Sequence, residues 1–390
     1  MTDGDFISLS PAEEPNNGLP MLQNWIARKS GSKRCGIYEF PLYTDARMTG
    51  QIQRTDWPYA FLNTVPIHDA PGYVQAPVIL RLEDHAYGSE RPDFSRTDAS
   101  LYHGGLITDE IAALASLCIG VRMRAGGQSR RFDSMEQDPL GRPVAWDRRP
   151  IPTLNLDRNR LVLPDVVDTH SLDELNRLDW LLQITPPQSV ALIRAARLYQ
   201  DALWIVESEP ALAWLMFVSA LETAANQWRA ESGTAVERLK YSKPELVEIL
   251  EKAGGDTLTE AVANQIEQSL GATKKFVDFT MQFLPSPPLV RPAEAFQIPW
   301  NSASMKKVFR LIYGYRSKAL HGGTPFPAPM CNHAFRTSAA EAFVERGTVG
   351  LAASTQGGVW LAKDVPISLH TFHHIVREAL LSWWKKMTNA

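Results

Sequence analysis

From about residue 171 onward, apolar positions recur every three or four residues, and the gaps between runs carry recognisable helix caps. Ser171 with Glu174 predicts a capping box for a helix to about Ile184. Thr185-Pro186 opens one to about Glu207, and Ser208 to Pro210 opens a third to about Arg229. Ser242 with Glu245 caps a helix ended by Gly254-Gly255, and another runs from about Thr257 to Leu270. Thr273 then leads Phe276, Val277, Phe279, Thr280 and Phe283 to a stop at Pro285. A helix starting near residue 304, with Ser302 or Ser304 as its N-cap, carries Met305, Val308, Phe309, Ile312, Tyr315 and Ala319 along one stripe. The last, about Ser368 to Lys386, aligns Leu369, Phe372, Val376, Ala379, Leu380 and Trp383. No fixed repeat length joins these runs, so the pattern predicts a helical bundle rather than a solenoid.

The first half has a different texture. Residues 1–34 read as an irregular arm with one short helix around Met21 to Arg28. Gly36–Tyr43 and Tyr73–Leu82 are β-prone, but their prolines predict edge strands or irregular extended segments. Thr108-Asp-Glu opens a helix through Ile111, Leu114 and Leu117 toward Ile119. Arg122 to Arg131 reads as a basic, glycine-containing loop, either solvated at the surface or in contact with phosphate or RNA. Residues 138–164, which include Arg148-Arg-Pro-Ile-Pro152, are rich in Pro, Asp and Arg and predict a boundary. The expectation is an α+β chain: an arm (1–34), a mixed or β-rich module (35–165) and a helical domain (166–390). No nucleophile elbow, phosphate loop or metal-ligand set occurs in residues 1–165, so an unidentified ligand or protein partner is left open for that module.

Composition adds three constraints. Cys35, Cys118 and Cys331 lie far apart with no paired spacing, which predicts a reducing, cytoplasmic setting and no zinc. The most apolar run, Ala211 to Ala225, is interrupted by Glu222 and too short to span a bilayer; with no apolar leader at the start, no membrane segment is expected. The net charge of −3 is unevenly spread: residues 301–390 carry 11 Lys/Arg against 4 Asp/Glu, and the remainder 29 against 39. A basic C-terminal segment points to a polyanionic partner.

That basic segment contains Tyr313-Gly-Tyr-Arg-Ser-Lys-Ala-Leu-His-Gly-Gly323. The two glycines, with Pro325 and Pro327 beyond, predict a helix end just after His321. Imidazolium is favoured at a helix C-terminus, so His321 is a candidate proton donor or acceptor near neutral pH. Arg316 lies close to the apolar stripe, where a guanidinium requires an anion, either a carboxylate of the chain or a substrate phosphate. Glu222 is the candidate carboxylate. Arg96 and His103 form a second Arg/His pair of similar spacing, without helical periodicity around it.

Tyr-Arg-Ser-Lys-Ala-Leu-His-Gly-Gly, preceded by an amphipathic helix and followed by Thr-Pro-Phe-Pro, resembles the Arg-x4–6-His motif of HEPN domains, in particular the ApeA-like HEPN proteins of bacterial defence systems. The resemblance covers roughly residues 185–390. It includes the apolar helix Ala211 to Glu222 and Phe276 to Pro292 with its Pro287-Pro288 and Arg291-Pro292 pairs. It implies a helical bundle that dimerises so that two motifs face one cleft, and cleavage of RNA without metal or other cofactor. Ser317 stands where active members often carry Asn, Asp or His; its hydroxyl retains a donor for phosphate.

The residue types suit that chemistry. When a ribose 2′-hydroxyl attacks the adjacent phosphorus, the reaction needs a proton-transfer group and a cation at the developing charge. His321 fits the first need and Arg316 the second, with Ser317, Lys318, Tyr315 and Glu222 as supporting candidates. The expected active species is a homodimer through the helical domain, with Trp383 or Trp384 at its contact. The competing expectation is a non-catalytic HEPN-like module that binds RNA or a protein partner. A phosphotransfer enzyme is disfavoured by the missing glycine-rich loop and acidic metal cluster. His370 and His374, one turn apart, have no evident third metal ligand.

Overall fold

A computed structural model describes residues 18–64, 73–86, 94–133, 138–145, 147, 149–154, 156–157, 159–228, 234–266, 271–338, 342–347 and 349–388. The expected helix ends at Arg229 and Leu270, residues 1–17 of the arm, and Arg148 lie outside these. The architecture is α+β. Helix α1 (Pro20–Lys29) leads into strands β1 (Arg34–Thr44), β2 (Arg47–Thr49), β3 (Tyr59–Asn63) and β4 (Gln75–His85). After α2 (Ile107–Ile119) come the short strands β5 (Arg124–Ala125), β6 (Arg130–Phe132) and β7 (Arg142–Pro143). The main sheet is antiparallel, in the order β3-β4-β1-β6-β7, with β5 also pairing β1.

The β-prone runs are therefore central strands, not edges. Pro41 is tolerated because it stands where the neighbour of β1 changes: Leu42 pairs Ala125 of β5, and Glu39 pairs Arg130 of β6. The Pro41 carbonyl accepts Gly126 N–H at 2.8 Å from the connection between them, so its missing N–H interrupts no ladder. Pro77 lies at the irregularity between Leu42 and Thr44 in the β1–β4 register. α1 is also more than part of an arm, since Met21, Leu22 and Trp25 are buried and Trp25 meets Trp57 and Tyr59 edge-on.

The expected basic surface loop contains one of the most buried cations of the molecule. Arg122 is 0% exposed; it donates to Asp45 and Glu207 at 2.7 Å each and to the Leu203 carbonyl at 2.6 Å. Arg124 pairs with Asp201 and lies over Trp204. The sheet half is thereby tied to the helical half, and one apolar cluster runs from α1 and the sheet through α2 into the helices beyond residue 165.

Those helices are α3 (Pro186–Ile205), α4 (Pro210–Trp228), α5 (Ala235–Ser242), α6 (Pro244–Gln265), α7 (Ala272–Gln282), α8 (Ser302–Gly322) and α9 (Leu369–Met387). The caps read from sequence are present at α3, where Thr185 N–H donates to Gln188, and at α9, where Ser368 accepts from Thr371 N–H. Residues Leu172–Gln183 form 3-10 rather than α turns. The reason is visible in their spacing: Leu172, Leu175, Leu178 and Leu181 are all buried, and a three-residue interval lines up only in a three-residue turn. Ser171 caps Asp173 N–H, and Glu174 pairs with Arg177 instead of closing a box.

Gly254-Gly255 ends a first helical stretch as the sequence predicts: Gly255, at φ 65°, is non-helical, and the range of α6 joins two helices across that kink; Ser242 belongs to the end of α5. α5 and α6 enclose a small cluster of their own around Leu239, Val247 and Ala263.

α4 is the centre of the bundle, packed by α3, α7, α8 and α9. Its Trp214 is stacked between Phe326 and Phe372, with centroids at 5.2 and 4.5 Å. The expected interface residues Trp383 and Trp384 are both 0% exposed and belong to this core. They cannot form a dimer contact without unpacking it.

The helical half also holds strands. β8 (Thr169–Ser171) pairs in parallel with β2, and β9 (Ala352–Thr355) with β10 (Gly358–Leu361) makes a hairpin. No helix among the described residues is long and apolar enough to cross a membrane.

Candidate functional site

α8 begins at Asn301, not at either serine, with Oδ1 accepting Ser304 N–H at 2.9 Å. It ends at Gly323, whose φ of 64° lets the chain turn back so that its N–H meets the Lys318 carbonyl. Met305, Val308, Phe309, Ile312 and Tyr313 are buried, while Tyr315 and Ala319 are half-buried beside them.

Arg316 sits on this inner side and has the anion its position demands. Its Nη2 donates to Glu222 Oε2 at 2.7 Å, and the Tyr313 hydroxyl donates to Glu222 Oε1 at 2.8 Å. The guanidinium carbon lies 5.5 Å from the Tyr313 ring centroid. Burial, then the neighbouring Glu222 charge, pushes the Tyr313 hydroxyl well above its ordinary range, so it remains a donor. Arg316 and Glu222 are 20% and 16% exposed, and Arg316 Nε is enclosed with no partner among the described residues. Tyr313 was not among the sequence candidates. The signal was its position three residues before Arg316, which places the two side chains together on a helix.

His321 lies elsewhere. It is exposed in the last turn, and five residues at 100° each put it about 140° around the helix from Arg316. No hydrogen bond or ion pair joins the two. Ser317, half-buried, falls between them around the axis. On the outer side His321 continues a row of exposed cationic positions, Lys307, Arg310 and Lys318, spaced by whole turns of the helix. Gly314 interrupts that row, and a Cβ there would meet nothing within 4 Å, so the backbone is open to close approach.

Lys318 and Tyr315 serve the outer side too. Lys318 Nζ is 5.9 Å from the Tyr315 ring centroid, and the Tyr315 hydroxyl donates to the Asp364 carbonyl at 2.6 Å. Burial pushes that hydroxyl up to about 12. The six candidates thus divide into an inner pair, Arg316 with Glu222, and an outer group of Lys318 and His321 flanked by Tyr315 and Ser317.

The other titratable clusters have separate partners. His370 Nε2 is 2.7 Å from Asp165 Oδ2, and His374 Nε2 is 3.3 Å from the Ser286 carbonyl, so the two rings do not converge. Both line a cavity of about 370 Å³. Among the described residues no three His, Cys, Asp or Glu side chains gather to hold a metal. His103 lies in the other half, its Nε2 2.7 Å from buried Glu110. Comparisons with family models, with curated proteins and with solved structures give no match to this chain.

Proposed function

We propose that this chain is a HEPN-type endoribonuclease that binds single-stranded RNA along the outer face of α8 and cleaves it by internal transesterification without a metal. The observation that carries the reading is the exposed row Lys307, Arg310, Lys318 and His321, which puts a proton-transfer group at the end of a track of phosphate-attracting cations. Arg316, oriented by Glu222 and Tyr313, is the cation for the developing charge. His321 of the same helix faces away from Arg316, so the reaction centre is composite: a second copy, related by a two-fold axis beside α8, brings its His321 toward the first copy's Arg316. Leu320, 51% exposed within the motif between Arg316 and His321, is a contact for that axis in place of the buried tryptophans. The three free cysteines suit a cytoplasmic setting, and a role in bacterial antiviral defence or as a toxin follows from the resemblance.

A second reading has one observation in its favour. The Arg316–Glu222–Tyr313 cluster satisfies itself within one chain, which suits a non-catalytic HEPN-like module that binds RNA or a partner. Purified protein incubated with cellular RNA, with and without chelator, separates the two. The expected result is cleavage that survives chelator, leaves 2′,3′-cyclic phosphate ends, and falls at least about 100-fold in Arg316→Ala and His321→Ala. Cleavage at the wild-type rate by both variants, or activity restored only by Mg²⁺, overturns the proposal; binding without cleavage selects the second reading.

A further inference from the structure

A groove of about 500 Å³ lies between α8, the segment after it and the β9–β10 hairpin. Its composition is unusual for a gap between packed elements. The Trp360 ring is half-buried on one wall, Tyr315 and Phe326 are on another, half-buried Asp364 also lines it, and the exposed Lys318 and Gln356 stand at its rim.

Two features show that the hairpin is shaped to present Trp360. A Cβ at Gly358 would fall 2.3 Å from the indole, so the ring folds over its own strand only because residue 358 is glycine. The turn Gln356-Gly357 has φ values of 50° and 79°, as a tight two-residue hairpin requires. Gln356 is the one non-glycine residue with positive φ among the described residues, in a position where asparagine or glycine is the easier choice. Its exposed amide, a donor and an acceptor together, lines the groove.

An aromatic wall, an amide at the edge and a lysine at the mouth match the three parts of a nucleotide: a stacking face, a hydrogen-bonding edge and a phosphate. Lys318 is one helical turn before His321, so a phosphate held at the mouth lies beside the imidazole. We infer that this groove is a nucleobase subsite for single-stranded RNA, which holds the base adjoining the scissile phosphate by stacking on Trp360 with Gln356 at its edge. The inference rests on the ribonuclease reading and adds to it a base-binding site and the residue that sets base preference.

The test uses the full chain carrying His321→Ala to silence cleavage, and fluorescence anisotropy with a labelled single-stranded RNA of about eight nucleotides scanned with single abasic positions. One abasic position is expected to weaken binding about 10-fold. Trp360→Ala should weaken binding of the intact RNA by a similar factor, lose nothing further with that abasic RNA, and leave the melting temperature close to its starting value. Trp360→Phe should restore most of the affinity, and Gln356→Glu should change which base is preferred. Affinity that is flat across the abasic scan, or losses from Trp360→Ala and the abasic site that multiply, overturns the subsite. If Trp360→Ala disturbs folding, the Trp360→Phe and Gln356→Glu proteins decide by the same scan. Should the scan be flat while wild-type cleavage still depends on Arg316 and His321, the subsite alone falls; with RNA neither bound nor cut, both readings fall.

Discussion

Glu222 is the residue whose replacement separates the structural work of Arg316 from the chemical work proposed for it. Its carboxylate accepts from Arg316 Nη2 at 2.7 Å and from the Tyr313 hydroxyl at 2.8 Å, with both charged side chains at or below one-fifth exposure. Glu222→Ala leaves a partly dehydrated guanidinium and a buried hydroxyl without their acceptor. Breaking a fully buried pair costs about 3–5 kcal/mol; with the residual exposure here, about 2–4 kcal/mol is expected. Arg316→Ala removes the cation but leaves Tyr313 to satisfy Glu222, so it should cost about 1–2 kcal/mol. Because Glu222→Ala strands Arg316 and Arg316→Ala removes that stranded cation, the double variant should be less destabilised than the sum, with a coupling of at least about 1 kcal/mol. Urea denaturation of the four proteins measures it. Glu222→Gln provides the functional arm: an acceptor remains, the charge is gone, and Arg316 becomes available to phosphate. RNA affinity should rise while stability falls by about 1 kcal/mol. Coupling within about 0.3 kcal/mol of zero would refute the pairing as a stabilising contact. RNA affinity unchanged in Glu222→Gln would place Arg316 off the RNA path.

Three further outcomes follow from other parts of the molecule. His373 is buried against Tyr199, and burial holds its pKa well below 6.5. The unfolded chain therefore binds a proton the folded chain refuses: stability is full above pH 6.5 and is lost on acidification, by up to about 1.4 kcal/mol per pH unit. His373→Phe should flatten that slope, and an unchanged slope in urea titrations from pH 7.5 to 5 would show that His373 is not its source. Arg122→Ala should cost at least about 3 kcal/mol by stranding Asp45 and Glu207, whereas Arg130→Ala on the same stretch should cost under about 1 kcal/mol; equal losses would contradict the burial of Arg122. Gly255→Ala meets no atom within 4 Å, so its cost of about 1–3 kcal/mol is backbone strain alone. Since α5 and α6 have their own cluster, hydrogen exchange should quicken within 235–265 and hold steady in α4 and α9.

The helices were legible because their signals are local. Capping residues, four-residue apolar intervals and the Gly322-Gly323 stop each act within one or two turns, and the bounds of α3, α4, α8 and α9 follow from them to within a few residues. The misreadings share a cause in contacts remote along the chain. Pro41 looked disruptive because a strand's neighbours are not written beside it; only the change of partner from β5 to β6 makes its missing N–H harmless. Arg122 looked solvated because Asp45 and Glu207 lie 77 and 85 residues away. Leu172–Gln183 is different: its three-residue interval was present in the sequence and distinguishes 3-10 from α turns without any tertiary information.

The motif helix combines both situations. Spacing alone places Arg316 and His321 in one short segment, and also separates them by about 140°. The apolar stripe draws Arg316 inward to Glu222, while the glycine stop leaves His321 exposed at the helix end. A single chain therefore offers a well-oriented cation on one side and an imidazole on the other, with Leu320 and Ser317 between them around the axis. Proton transfer needs a group within hydrogen-bond reach of the atom it serves, and a guanidinium bound to a carboxylate inside its own bundle does not move to meet an imidazole outside it. If the two act on one phosphate, the missing geometry has to come from a second molecule: another copy of α8, or an RNA strand that bends around the helix from Lys318 past Ser317. The two routes differ in concentration dependence, because only the first loses specific activity on dilution below the dimer's dissociation constant.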